Sequence, residues 1–381
     1  MTIDLDAACF HGGAFFDAVG DSFDDLSRRH QIINADVLDA WFPPAPGVLR
    51  ALHDDVGWIA RTSPPTMCGG LRMAIANARY VPAANILVGA GSSALIFLAL
   101  REWLTSYSRV LLLDPCYGEY GHVLERVIGC RVDRIPLRES DGWMPDIERI
   151  AARLRRGYDL FVLVNPNNPT GGLVSRGRLA QLLRRVPRRT RVWIDEAYID
   201  YADASQSMER VAADSANVFV CKSLSKVYAL SGMRVAYLCG PADAIAALRR
   251  LTPPWAVSLP GQIAAVHALA DPEYYARRYR ETAALRDRLA GRLRRIPGVR
   301  AVTGAANFLL CHLDDSAPDV TTVLDGCRGR GVYVRDVSSM GRTLSTQVFR
   351  TAVKGPHDNA RIVTALAEAL GAVVPEMRDV A

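Results

Sequence analysis

Two hydroxyls, a lysine and an arginine stand close together between Val218 and Tyr237: Ser223, Ser225, Lys226 and, further on, Arg234. Hydroxyls and a fixed guanidinium are the donors a phosphate needs. A lysine among them suits a phosphorylated ligand that is also an aldehyde, because lysine amines form Schiff bases with carbonyls. The plainer reading of this stretch alone is a solvated basic loop between two strands, since short motifs recur by chance.

Four other loops change that balance. Gly89, Gly91, Ser92 and Ser93 open a helix with glycines that admit a ligand and with amides and hydroxyls that suit an anion, although capping serines are common there. Asp114-Pro115-Cys116-Tyr117 brings an aromatic face. In Asn165-Pro166-Asn167-Asn168-Pro169-Thr170-Gly171 the prolines fix a backbone from which Asn168 can present its amide, or which is an ordinary Asx turn. Asp195-Glu196-Ala197-Tyr198 ends an apolar run with a carboxylate, which alone would suit a helix cap.

Taken together these residues fit pyridoxal phosphate. Asp195 would keep a pyridine nitrogen protonated, making the ring an electron sink. Asn168 and Tyr198 would hydrogen-bond its phenolic oxygen, and Tyr117 would stack on it. Ser92, Ser93, Ser223, Ser225 and Arg234 would hold the phosphate. Lys226 would take the aldehyde and later move a proton at the substrate's alpha carbon.

Such loops need a frame. Short strand-like runs from Val110, over 130–135 and 160–164, up to Asp195 and from Val218 to before Cys221 alternate with helical patterns, which argues for a mainly parallel sheet covered on both faces. Ligands in such sheets gather beyond the carboxyl ends of the strands, where all these loops lie. The spacing predicts helices over 69–80, after Ser92, up to Ile128 and over 146–156. After Pro253-Pro254-Trp255 the pattern changes to a long helical stretch broken near Asp271-Pro272, then strands over 301–313, 331–335 and 348–352 and a helix over 359–370. We expect an arm over 1–45 that joins a small domain and a dimer interface, a large cofactor-binding domain over 46–253 and a small domain over 254–381.

The 381 residues are 50% hydrophobic and 23% charged, ordinary for a globular protein with a large core. The net charge of +6 is spread without a recognisable nucleic-acid module, so no nucleic-acid partner is expected. The eight cysteines form no CxxC pair and several sit in apolar runs, which predicts buried reduced thiols and no metal site. The acidic start is unlike a signal peptide and no apolar run has the length of a membrane span, so a cytoplasmic protein without a membrane partner is expected.

The ordered set Asp114 to Tyr117, Asn167 to Gly171, Asp195 to Tyr198 and Ser223 to Arg234 resembles class I/II aminotransferases, the fold-type I pyridoxal-phosphate enzymes. Within them the chain is most similar to histidinol-phosphate aminotransferases and threonine-phosphate decarboxylases. The resemblance implies an α/β fold with a large, mainly parallel sheet domain flanked by helices, a smaller α+β domain, and a homodimer with active sites at the interface. His11-Gly12-Gly13, the loop from Leu137 to Trp143 and Ala306-Asn307-Phe308 lean toward the decarboxylase branch. By the same resemblance His11, Arg335 and Arg350 bind substrate, the two arginines at its anionic end. By that resemblance the family usually carries an Asn-Pro segment in the arm where this chain has 34–42, and a tyrosine contributed across the dimer where it has 61–65. The expected activity is amino transfer on a small amino acid or amino phosphate ester bearing phosphate or carboxylate. The alternative is decarboxylation or another reaction at the alpha or beta carbon, and a non-catalytic cofactor-sensing module is disfavoured because Lys226 keeps its full surround.

Overall fold

The computed structural model describes residues 12–374; His11 lies outside them. Its strands in chain order are β1 (Ile33–Asn34), β2 (Ile86–Gly89), β3 (Arg109–Asp114), β4 (Arg131–Pro136), β5 (Leu160–Val164), β6 (Arg191–Asp195), β7 (Val218–Ser223) and β8 (Ala236–Cys239). They continue as β9 (Val299–Thr303), β10 (Phe308–Leu313), β11 (Val332–Tyr333), β12 (Arg335–Asp336) and β13 (Val348–Ala352).

Seven strands form the main sheet in the order β2-β8-β7-β6-β5-β3-β4. Only β8 runs against its neighbours. Its apolar strands are buried on both faces: every residue of β5 and β7 is buried. Along β3, Leu111 and Leu113 join the core on one face while Val110 and Leu112 join the core on the other. Each such side chain contributes about 1.5–3 kcal/mol, so the middle strands are a rigid floor. Since β2, β3, β5, β6 and β7 share one direction, the loops after them open on a single rim.

A second sheet, β12-β13-β10-β9, is antiparallel. The segment before the main sheet reaches it, because β1 pairs in parallel with β11. Ala352 N–H donates to Ala35 O at 2.9 Å, tying residues 34–36 beside β13. In this sheet Arg335 stands directly opposite Arg350.

Three local expectations change. Residues 301–313 form a hairpin, β9 and β10, instead of one strand. Its turn rests on the loop after β5, where Ala305 N–H donates to Gly171 O at 2.8 Å. A side chain on Gly171 would strike Gly304 Cα, and its φ of +73° favours glycine in any case. Residues 331–335 split between two sheets as the chain turns from β1 to β13. His122–Ile128 is wound as a π-helix and ends at Gly129, whose φ is +83°. No helix among the described residues is long and apolar enough to cross a membrane. The described cysteines are all buried and free.

Candidate active site

The rim loops enclose a cavity of about 250 Å3. At one end, β7 delivers Ser223, and the short helix Leu224–Val227 carries Ser225 and Lys226. Arg234 follows in a left-handed conformation (φ 52°), and its guanidinium donates to Ser231 O at 3.1 Å and to Ser225 Oγ at 3.4 Å. Ser92 and Ser93 face the same end from the start of the helix Ser92–Trp103. Gly91 is needed there: with φ at +88°, any Cβ would lie 2.5 Å from the Arg234 guanidinium. Hydroxyls, a helix start and an arginine thus converge, which is the donor set for a phosphate. The Ser93 hydroxyl is also engaged, donating to Glu119 Oε2 at 3.0 Å.

At the floor, Asp195 ends β6. Its Oδ2 accepts from the Tyr120 hydroxyl at 2.7 Å and its Oδ1 from Ala197 N–H at 3.0 Å. Burial pushes its carboxyl up to about 6, against the lowering effect of those two hydrogen bonds. A carboxylate held this way, with its charge only partly satisfied, suits a protonated ring nitrogen. Tyr117 lines the cavity wall, its hydroxyl donating to Glu119 Oε2 at 2.7 Å. Tyr198 is buried edge-on against Phe308, and burial holds its phenol well above its ordinary value.

Asn168 joins this wall from the loop after β5. Its Oδ1 accepts from Arg350 Nη1 at 2.6 Å. A guanidinium only donates, so this bond engages the carboxamide oxygen and leaves the amide nitrogen as the side chain's donor. Arg350 also donates to Asp36 O at 3.0 Å and is only 7% exposed. Lys226 Nζ lies 3.2 Å from Asp39 Oδ1. Burial lowers the lysine, opposed by Asp39 and reinforced by Arg350 and Arg234.

The structure therefore brings together Ser92, Ser93, Tyr117, Asn168, Asp195, Tyr198, Ser223, Ser225, Lys226, Arg234 and Arg350 around one cavity. Arg335 is not on its wall. It lines an adjoining cleft of about 660 Å3 that meets the cavity at Gly12, Tyr117 and Arg350. Its guanidinium lies 3.6 Å from Asp36 Oδ1. Sequence reasoning missed Asp36, Asp39, Glu119 and Tyr120. Tyr120 and Glu119 follow Tyr117 on the same turn and were open to inference; the two aspartates sit in a stretch without periodicity.

The donor set fits pyridoxal phosphate in each part: a phosphate cup, a lysine, a buried carboxylate opposite them and an amide donor between. The comparisons agree with this geometry. Residues 45–368 match the family model "Aminotransferase class I and II". A histidinol-phosphate aminotransferase of Xanthomonas euvesicatoria pv. vesicatoria is 31% identical, over 89% of this chain and 92% of its own. A threonine-phosphate decarboxylase of Salmonella typhimurium is 30% identical, over 86% and 88%. The crystal structure of histidinol-phosphate aminotransferase from Sinorhizobium meliloti in complex with pyridoxal-5'-phosphate shares the fold, with a TM-score of 0.84, 22% identity and 97% coverage of both chains.

Proposed function

The chain belongs to the class I and II aminotransferases, and from that premise we propose that it is a pyridoxal-phosphate-dependent aminotransferase of small amino acids or amino phosphate esters with an anionic end. The observation that carries this is one cavity lined together by Lys226, Asp195, Ser223, Ser225 and Arg234. When bound, the cofactor supplies a carbonyl for the amine and an electron sink for charge at the alpha carbon.

The chain's own residues do the rest. Asp195 orients the ring and stabilises positive charge on its nitrogen. Asn168 and Tyr198 direct hydrogen bonds to the phenolic oxygen. Ser92, Ser223, Ser225 and Arg234 fix the phosphate, with Ser93 shared between it and Glu119. Lys226 would hold the cofactor's aldehyde, and its Nζ, at the cavity wall, would be the base that moves the alpha proton. Arg350, buried beside Asn168, is placed for the substrate carboxylate, and Arg335 in the adjoining cleft for a second anionic group.

A second reading is favoured by one observation, the 30% identity to a threonine-phosphate decarboxylase. The same residues serve either outcome, since the bond broken depends on which one the site holds perpendicular to the ring. We carry with this proposal a cytoplasmic homodimer and the division into an arm to residue 45, a large domain to 253 and a small domain beyond. Incubating the cofactor-loaded protein with phosphorylated, acidic and neutral amino acids, and assaying keto acid against carbon dioxide, tests it. Keto acid from an anionic donor supports amino transfer, carbon dioxide the second reading, and neither product overturns both.

A further inference from the structure

The segment 34–42 is one of two in which the chain departs from the pattern it resembles, and it brings Asp39 beside Lys226. Asn34 closes a turn by accepting from Val37 N–H at 3.0 Å, two residues before Asp39. Asp39 Oδ1 accepts from the Ser231 hydroxyl at 2.5 Å and lies 3.2 Å from Lys226 Nζ. Its other oxygen faces Asn34 Nδ2 at 3.5 Å. Lys354 Nζ donates to the Asp39 carbonyl at 3.3 Å, so the backbone is pinned as well.

This is more than an ion pair between two side chains of convenience. Among the described residues, the leading charged influences on Lys226 besides Asp39 are cations: Arg350 from β13 and Arg234 from the phosphate cup. Lys354, buried and pushed down to about 8, faces Asp39 from beyond β13. Asp195 and Tyr198 line the far wall. Burial and the two arginines favour a neutral Lys226 amine, and Asp39 is the carboxylate in contact that opposes them.

We propose that Asp39 is a positioning residue for Lys226: its carboxylate, aimed by Ser231, holds the Nζ ammonium at the cavity and keeps the proton on that nitrogen once Lys226 is linked to the cofactor. The inference rests on the cofactor reading above. In the linking step Nζ forms a C=N bond to the aldehyde carbon and the C=O bond breaks. One ammonium hydrogen passes first to Asp39, which frees the lone pair that attacks; it and a second nitrogen hydrogen leave with the carbonyl oxygen as water, and the third stays on nitrogen. No electrons are exchanged with a third species. A nearby carboxylate favours the charged nitrogen before and after this step, so it raises both protonation midpoints relative to a site without it.

The experiment uses the full chain stripped of cofactor. The rate of pyridoxal phosphate uptake is followed by absorbance as a function of pH, and the visible band of the loaded protein is then titrated. Asp39→Asn is expected to move both midpoints to lower pH by about one unit or more, the shift typical of a charge in contact. Ser231→Ala, which frees the carboxylate without removing it, is expected to move them the same way by less, and Asp39→Glu to restore them in part. Midpoints unchanged in Asp39→Asn overturn the inference. If that variant does not fold, unchanged midpoints in Ser231→Ala overturn it instead. A parent chain that takes up no pyridoxal phosphate overturns the cofactor reading itself, a result distinct from normal uptake with fixed midpoints.

Discussion

The Tyr120 hydroxyl donates to Asp195 Oδ2 at 2.7 Å while accepting from Trp193 Nε1, also at 2.7 Å. The carboxylate at the cavity floor is therefore held by a relay of two fully buried rings. A hydrogen bond to a charged group is worth about 1.5–3 kcal/mol. Tyr120→Phe is expected to push the Asp195 carboxyl above its present value of about 6 and to lower kcat/KM roughly ten- to a hundredfold. Steady-state kinetics and cofactor affinity check it, and unchanged values of both show that the relay does not support the site.

Lys226→Ala is expected to bind pyridoxal phosphate without a bond that borohydride can fix, because no other described lysine lines the cavity. Mass spectrometry after reduction decides this. Cofactor still attached to the chain at this site shows that Lys226 is not the reacting amine.

Asp195→Ala is expected to cost turnover far more than folding. Burying this carboxyl is already unfavourable, as its upward shift shows, so its removal is tolerated by the fold. A neutral ring nitrogen makes a poor electron sink, and turnover should fall by well over about tenfold, 1.4 kcal/mol of barrier. Near-normal kcat in this variant would remove Asp195 from the chemistry.

The frame of the site was legible because its signals are local. Runs such as residues 160–164 are wholly apolar and buried, and each ends in a polar loop whose residue types fit one ligand. What was hidden is what depends on distant partners. Asp39 meets Lys226 across 187 residues, and Asp36 O meets Arg350 across 314. Neither aspartate sits in a periodic stretch, so nothing local marks the direction it faces. The division of residues 331–335 between two sheets was likewise invisible, since two-residue strands are chosen by their neighbours rather than by their own propensity. The π-winding of His122–Ile128 leaves the same apolar spacing that an ordinary helix end would show.

Beneath the site, Glu196 is fully buried beside Lys222, Glu209 and Ser207. Burial raises it to about 7 from an ordinary 4.5; Lys222 opposes the shift and Glu209 adds to it. The folded state thus holds a proton that the unfolded state loses near pH 4.5. This group's contribution is complete below about pH 4.5 and is lost as pH rises to about 7, on the order of 3 kcal/mol. Asp195 acts with the same sign up to about pH 6. Asp200 is also pushed up by burial, but Arg79 and Lys222 outweigh that and hold it far below its ordinary 3.8, so its effect falls at more acid pH. His312, pushed down to about 4 by burial and then by Arg300, acts with the opposite sign below about pH 6.5. The test is therefore the difference between proteins: in urea unfolding of the cofactor-free chain, stability should fall less, or rise more, with pH in Glu196→Gln than in the parent. An equal slope in both proteins refutes the assignment.

In the proposed function the substrate's charge is read by two arginines, and these stand in unlike settings. Arg350 is 7% exposed, held by Asn168 Oδ1 and Asp36 O, with its Nε hydrogen unpartnered. Burial pushes even this guanidinium below its ordinary value. Arg335, opposite it in the sheet, faces the larger cleft and lies near the Asp36 carboxylate. An anion bound to Arg350 relieves a buried positive charge, whereas one bound to Arg335 competes with Asp36. The two substitutions should therefore differ. Removing one partner of a buried charged contact costs about 3–5 kcal/mol, so Arg350→Ala should lower kcat/KM by roughly two to three orders of magnitude for every amino acid, mainly through KM. Arg335→Ala should cost less and only for donors with a second anionic group, leaving neutral donors unaffected. Kinetics of both variants across neutral, dicarboxylic and phosphorylated donors separate these outcomes. If the parent protein uses neutral and anionic donors equally well, Arg335 is structural and the anionic far end drops out of the proposed function.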